Sequence, residues 1–147
     1  MIRKRFETVV KADVETVWRV HSNVAALVLL TPPNRRLRFD PTEIEVIEGA
    51  THRLKFGLGP FWMRWDAVIS EVAAPSRFRD TALRGPFKSW THSHEFVEHE
   101  DGTKIVDTIE YEPPLGIFGG ILEKLMISRQ LDQLFAFRHE ITRQQLS

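Results

Sequence analysis

Phe61-Trp62-Met63-Arg64-Trp65-Asp66-Ala67-Val68-Ile69 decides the architecture. Phe61, Met63, Trp65, Ala67 and Ile69 take alternate positions, with Trp62 and Arg64 at the outward ones between them. Side chains two apart on an extended chain point the same way, so this period predicts a long strand with one apolar face. The pattern continues on both sides. Upstream, Leu54, Phe56 and Leu58 share a face, Gly57, Gly59 and Pro60 mark the turn out of that strand, and Ile44 and Val46 begin an earlier one. Downstream, Ala73-Ala74-Pro75-Ser76 is a turn, 77–83 is a strand, and Gly85-Pro86 is another turn. Trp90, His92, His94 and Phe96 then share a face. Asp101-Gly102 is a hairpin signal, and Ile105, Asp107, Ile109 and Tyr111 share a face of the last strand before Pro113-Pro114 and Gly116.

The flanks switch period. Phe6, Thr8 and Val10 alternate with Arg5, Glu7, Val9 and Lys11 as a first strand. Asp13 suits a helix N-cap, and Val14, Val17, Trp18 and His21 lie on one helical face. Ser22 or Asn23 starts a second short helix through Leu30, ended by Pro32-Pro33. From about Phe118 to Arg143 the chain reads as one long helix whose stripe is Ile127, Leu131, Leu134, Phe135 and Ile141, with Arg138 inside it. The class is α+β: an antiparallel sheet of about seven strands, two short helices after the first strand, and a long C-terminal helix covering the apolar face. No repeat or linker divides the chain, so residues 1–147 read as a single domain.

Composition narrows the function. Lys plus Arg is 20 and Asp plus Glu is 20, and without a basic excess no nucleic-acid partner is expected. Arg35, Arg36 and Arg38 read as a solvated loop. The chain has no cysteine, which removes disulfides and thiolate chemistry. No apolar segment follows Met1–Arg5, and the longest apolar run, Val24–Leu30, is too short to span a bilayer. A cytoplasmic protein without stable membrane insertion is expected, as monomer or homodimer.

The ordered features resemble the START-like superfamily, also called SRPBCC or Bet v 1-like, and within it the polyketide cyclase/dehydrase-like branch. The resemblance rests on Phe6-Glu7, the stretch Ala12-Asp13-Val14-Glu15-Thr16-Val17-Trp18, and Phe78-Arg79-Asp80 followed by Gly85-Pro86-Phe87, Trp90, His92, His94 and Phe96. Asp107 and Tyr111-Glu112-Pro113-Pro114-Leu115-Gly116 complete it. Asp13 stands where the family often has Pro; a helix start tolerates both. The resemblance implies a helix-grip fold, a curved sheet wrapped around the C-terminal helix, with a cavity between them for a lipid, quinone or polyketide-like molecule.

His92 and His94 flank one another between Trp90 and Phe96, opposite a polar parity of Ser89, Thr91, Ser93 and Glu95. They are the candidate polar groups of an aromatic pocket. Its expected wall is Leu54, Phe56, Phe61, Met63, Trp65, Trp90 and Phe96, with Leu131 and Phe135 from the helix. Asp107 lies between Ile105 and Ile109, where a buried carboxylate needs a partner. A structural ion pair to Arg79 or Arg138 is expected, and pairing with His92 or His94 is the alternative, which would supply general acid–base chemistry. His-x-His also offers two metal ligands, with Asp107 or Glu110 to add oxygen, but a third ligand is not legible. Neither metal nor cofactor is therefore expected.

Three functions fit these features. The first is non-catalytic binding or carriage of a hydrophobic small molecule. The second is a cyclase or dehydratase in which His92 or His94 works with Asp107. The third is an interaction module using Ile121, Leu122 and Leu125, beside a glycine-rich segment, Leu115 to Gly120, that reads as either a pocket lip or a packed loop.

Overall fold

The computed structural model describes residues 1–146 except Val24, Ala25, Asn34, Pro41 and Gly59, with Leu27 and Leu58 described by backbone alone. The expectations placed on Val24, Ala25, Gly59 and the Leu58 side chain lie outside what is described. Seven strands form one antiparallel sheet: β1 (Ile2–Val10), β2 (Leu37–Phe39), β3 (Thr51–Leu58), β4 (Phe61–Ala73), β5 (Arg77–Arg84), β6 (Ser89–His99) and β7 (Gly102–Glu112). Their order is β1-β7-β6-β5-β4-β3-β2. Hairpins join β2 through β7 in sequence. Only the step from β1 to the far edge is long, and α1 (Val14–His21) and α2 (Ala26–Leu29) fill it. Asp13 caps α1 as its side chain predicts, accepting from Thr16 N–H at 2.8 Å.

The C-terminal stretch is helical but not one uniform helix. A 3-10 turn (Gly116–Phe118) leads into α3 (Gly119–Leu122), a wide π turn (Glu123–Ile127) and α4 (Ser128–Leu146). Within the π turn Glu123 is buried, and one carboxylate oxygen accepts from Tyr111 Oη at 2.6 Å. Single π turns of this kind interrupt α-helices frequently at functional sites. The α4 stripe also differs in phase from the expected one. Leu131, Phe135, His139 and Thr142 are its buried members, whereas Ile141 is half-buried.

The edge opposite β1 departs from expectation. Ile44 and Val46 do not form a strand; Glu45 makes only an isolated bridge to Asn23. The edge strand is β2, inside the segment expected as a loop. Leu37 and Phe39 pair with Phe56 and Leu54, stacking apolar side chains across the ladder. Arg36 and Arg38 are not merely solvated: their guanidinium groups lie 4.7 and 4.0 Å from the Trp62 ring.

Register shifts at Asp66/Ala67 and Ser70/Ala73, with Glu71 at φ 53°, interrupt the regular ladder of β4. Such bulges bend a strand and increase local twist. On the inner face two apolar clusters form. One unites Val10, Val17, Ile69, Phe78, Phe96 and Ile105, with Trp18 of α1 packed edge-on to Phe78 and Phe96. The other unites Trp90, Ile109, Tyr111, Leu131 and Phe135, with Phe6 stacked on Phe135 at 4.6 Å. Lys4 fastens α4 from the edge, donating to Asp132 and to the Ser128 carbonyl.

Candidate functional site

Between the two apolar clusters the inward stripes of β5, β6, β7 and α4 turn polar. On β6, His92 and His94 separate Trp90 from Phe96; on β7, Asp107 separates Ile105 from Ile109. On β5, Asp80 follows Phe78, and on α4, His139 lies one turn beyond Phe135. Antiparallel register sets Asp80 opposite His92, and His94 opposite Asp107.

The groups bond to one another. Asp107 accepts from His92 Nε2 at 2.8 Å on one oxygen and from His139 Nε2 at 2.7 Å on the other. Asp80 Oδ2 accepts from His94 Nε2 at 2.7 Å and lies 3.7 Å from His92 Nδ1. His94 Nδ1 lies 3.6 Å from Asp107 Oδ1. The His92 and His94 rings stack at 3.6 Å, and Phe78 covers the other side of His94 at 4.0 Å. Asp107 is 7% exposed, His92 5% and His139 7%, so water does little of the solvating.

Burial pushes the Asp107 carboxyl up, but hydrogen bonds from His139 and His92 outweigh it and hold it well below the usual carboxylate range. Asp80 behaves alike: burial raises it, while the bond from His94 and the nearby imidazoles and Arg138 bring it down on balance. His94 is lowered by burial and by His92, against the pull of Asp80. Two ionised carboxylates therefore sit in a dry site with His94 biased toward neutral. His21 adds a fourth nearby imidazole, lowered by burial and bonded through Nδ1 to the Val17 carbonyl at 2.8 Å.

The expected residues divide into three groups. His92, His94 and Asp107 converge with Leu131 and Phe135 as neighbours on the inner face. Trp90, Trp65 and Phe56 join an aromatic group with Phe87 and Tyr111, Trp65 meeting Trp90 edge-on at 5.1 Å. Leu54 and Met63 are half-buried, and Phe96 faces the α1 side with Trp18 and His21. Phe61 is 70% exposed at the start of β4, where the strand end gives it no cover. Asp107 forms no ion pair with Arg79, which instead meets Glu71 at 2.8 Å and Ser93 at 3.1 Å. Arg138 acts on Asp107 and Asp80 only through space, its guanidinium lying over Phe135.

Asp80 and His139 escaped the sequence reading as site residues. Asp80 shares strand parity with Phe78, which was an available signal. His139 required the correct phase of α4. Of the third function's residues, Ile121 and Leu125 are exposed and Leu122 is half-buried, while Leu115, Ile117 and Phe118 are exposed beside them. Two surface clefts, of about 530 and 390 Å³, lie at Lys11–Asp13 with His99–Gly102 and at 42–52; neither touches the polar cluster.

Solved structures share the fold. Protein CV1439 from Chromobacterium violaceum aligns with a TM-score of 0.79 at 14% identity, covering 99% of this chain and 98% of its own. TTHA0849 from Thermus thermophilus aligns at 0.72 with 23% identity, covering 99% and 100%. A nucleoside-diphosphate sugar epimerase from Corynebacterium glutamicum aligns at 0.70 with 25% identity, covering 96% of this chain but 28% of that one. No curated protein sequence matches. No helix among the described residues is long and apolar enough to cross a membrane. The family model for polyketide cyclase / dehydrase and lipid transport matches residues 10–135, which supports hydrophobic-ligand binding in general; with the helix-grip architecture, this match makes the chain a member of that START-like family.

Proposed function

We propose that the protein binds a hydrophobic small molecule of lipid, quinone or polyketide type between the sheet and α4, and that the histidine–aspartate cluster receives the ligand's polar end. One observation carries this reading: four inward stripes, on β5, β6, β7 and α4, turn polar at one level between two aromatic-rich clusters. Buried ionic groups rarely improve on well-packed apolar side chains for stability. Placing two carboxylates and three imidazoles there is better explained by ligand chemistry. The exposed Leu115, Ile117, Phe118 and Ile121 next to α4 suit a lip through which an apolar molecule enters. The zero net charge supports a small-molecule rather than a nucleic-acid partner.

A second reading, cyclase or dehydratase catalysis, is favoured by the imidazole–carboxylate contacts of 2.7–2.8 Å, which suit an oriented acid–base group. Native mass spectrometry of protein purified without detergent tests the binding proposal. Trp fluorescence titration with a long-chain ketone and the matching hydrocarbon complements it. One-to-one binding with preference for the ketone is expected, and His92→Gln with His94→Gln should erase the preference while keeping the hydrocarbon. Absence of any bound lipophile at micromolar concentration would overturn it. Turnover of a bound carbonyl compound, lost in His94→Gln without loss of affinity, would establish the second reading.

A further inference from the structure

The hydrogen bonds around His92 fix which of its nitrogens can do chemistry. An ionised carboxylate only accepts, so the 2.8 Å contact to Asp107 requires His92 Nε2 to carry a proton. In the neutral ring, Nδ1 then holds a bare lone pair. His92 Nδ1 lies 3.7 Å from Asp80 Oδ2, another acceptor. A cation placed between them would meet an imidazole nitrogen and a carboxylate oxygen at once. His94 Nε2 stands 2.7 Å from the same Asp80 oxygen, and the three donor atoms all lie within 4.8 Å of one another.

We propose that Asp80 Oδ2, His92 Nδ1 and His94 Nε2 form a binding site for a divalent transition-metal ion, oriented from behind by Asp107 and His139. The spacing suits it. Donors about 2.0–2.1 Å from a tetrahedral zinc are separated by about 3.3 Å, and the two observed separations, 2.7 and 3.7 Å, bracket that value. The supporting shell is already built. A ligating histidine usually donates its other ring N–H to a carboxylate, as His92 does to Asp107. Asp107 is in turn held by His139. When the metal displaces the proton on His94 Nε2, the proton moves to His94 Nδ1 or to solvent; the Nδ1 tautomer faces Asp107 Oδ1 at 3.6 Å.

Two imidazoles and one carboxylate select zinc or ferrous iron over magnesium or calcium, and three protein ligands leave a position open. The third ligand is thus Asp80 on β5, not Asp107 or Glu110. This site stands independently of the hydrophobic-ligand reading, since either can fail without the other.

The test uses the full chain, stripped with chelator and titrated with Co²⁺ and then Zn²⁺ at about pH 7.5, where neutral imidazoles are free to ligate. One equivalent of Co²⁺ should bind and give visible d–d absorption, zinc should displace it, and X-ray absorption at the zinc edge should show two imidazoles. Asp80→Asn and His94→Gln preserve shape and should abolish the spectrum while circular dichroism stays that of a folded protein. Asp107→Asn leaves the three ligands in place and should weaken zinc about 10- to 100-fold. Failure of the wild type to bind Co²⁺ at millimolar concentration would overturn the site, with a proton on His92 then bridging to Asp80. An X-ray absorption spectrum with one imidazole or none would overturn it equally, whatever the variants do.

Discussion

Replacing Asp107 tests whether the buried cluster is an integrated unit. Asp107 is the only group bonded to both a strand imidazole, His92, and the helix imidazole, His139, so it ties β7 to β6 and to α4 among the described residues. Asp107→Ala removes both bonds and leaves two buried Nε2–H groups without an acceptor. A hydrogen bond to a charged group contributes about 1.5–3 kcal/mol, and breaking one partner of a buried charged pair costs about 3–5 kcal/mol. The two estimates converge on about 3–5 kcal/mol at pH 7, because the bonds share one carboxylate and do not add fully. Asp107→Asn keeps one acceptor oxygen and should cost less, about 1–3 kcal/mol. Urea unfolding across the acid and neutral range measures both. The pH profile supplies a second check. His94 and His21 are lowered in the fold, so the unfolded chain binds more protons as pH falls below about 6.5 and stability drops there. Asp107 and Asp80 are also lowered, so their contribution is present above about pH 4 and lost as pH falls through their folded values. Asp107→Asn should therefore flatten the limb below about pH 4 and leave the histidine limb in place. An Asp107→Ala protein within about 0.5 kcal/mol of wild type, or an acid limb unchanged in Asp107→Asn, would refute the cluster as described.

Two other regions give sharp expectations. Tyr111 is the chain's only tyrosine, so phenolate absorbance in the near ultraviolet reads it alone; burial and the bond to Glu123 raise its pKa, and no phenolate should appear near pH 10 while the protein stays folded. The sign places that stability below about pH 10 and its loss above, since the folded chain holds the proton longer. Gly102 turns the β6–β7 hairpin at φ +137°, and a Cβ there would collide with the Val10 carbonyl oxygen. Gly102→Ala should cost about 1–3 kcal/mol in thermal unfolding, and an unchanged melting temperature would mean the turn can refold around a side chain.

Most of the sheet was legible because its strands are long enough to show a period. The Trp90, His92, His94, Phe96 row needed no tertiary information, as four same-parity residues opposite a polar parity define a face. β2 was not legible. A three-residue edge strand shows barely one alternation, and the arginines in and before it advertise solvent although Arg36 and Arg38 rest on Trp62. The split of the C-terminal helix was hidden for a related reason. Glu123 reads as a surface residue, and the approach of Tyr111 Oη from another element gives its buried carboxylate a donor that the local sequence does not show.

The site was half legible, and the missing half follows a physical rule. Hydrophobic periodicity finds a stripe by its apolar members, so it chose Ile141 over His139 on α4. Tertiary structure chose His139 because Asp107 needs a donor there, and one bonded imidazole offsets part of the desolvation of a carboxylate that must be buried anyway. The same logic applies to Asp80, which looks like an interruption of β5 until His94 and His92 are set beside it. A chain selected for stability alone would continue its apolar stripes through this level, since each polar insertion must find partners on other elements before it stops costing energy. Here β5, β6, β7 and α4 each break their stripe at the same height. Four independent interruptions that satisfy one another are more informative than any one of them, and they locate the site by the place where the core stops being a core.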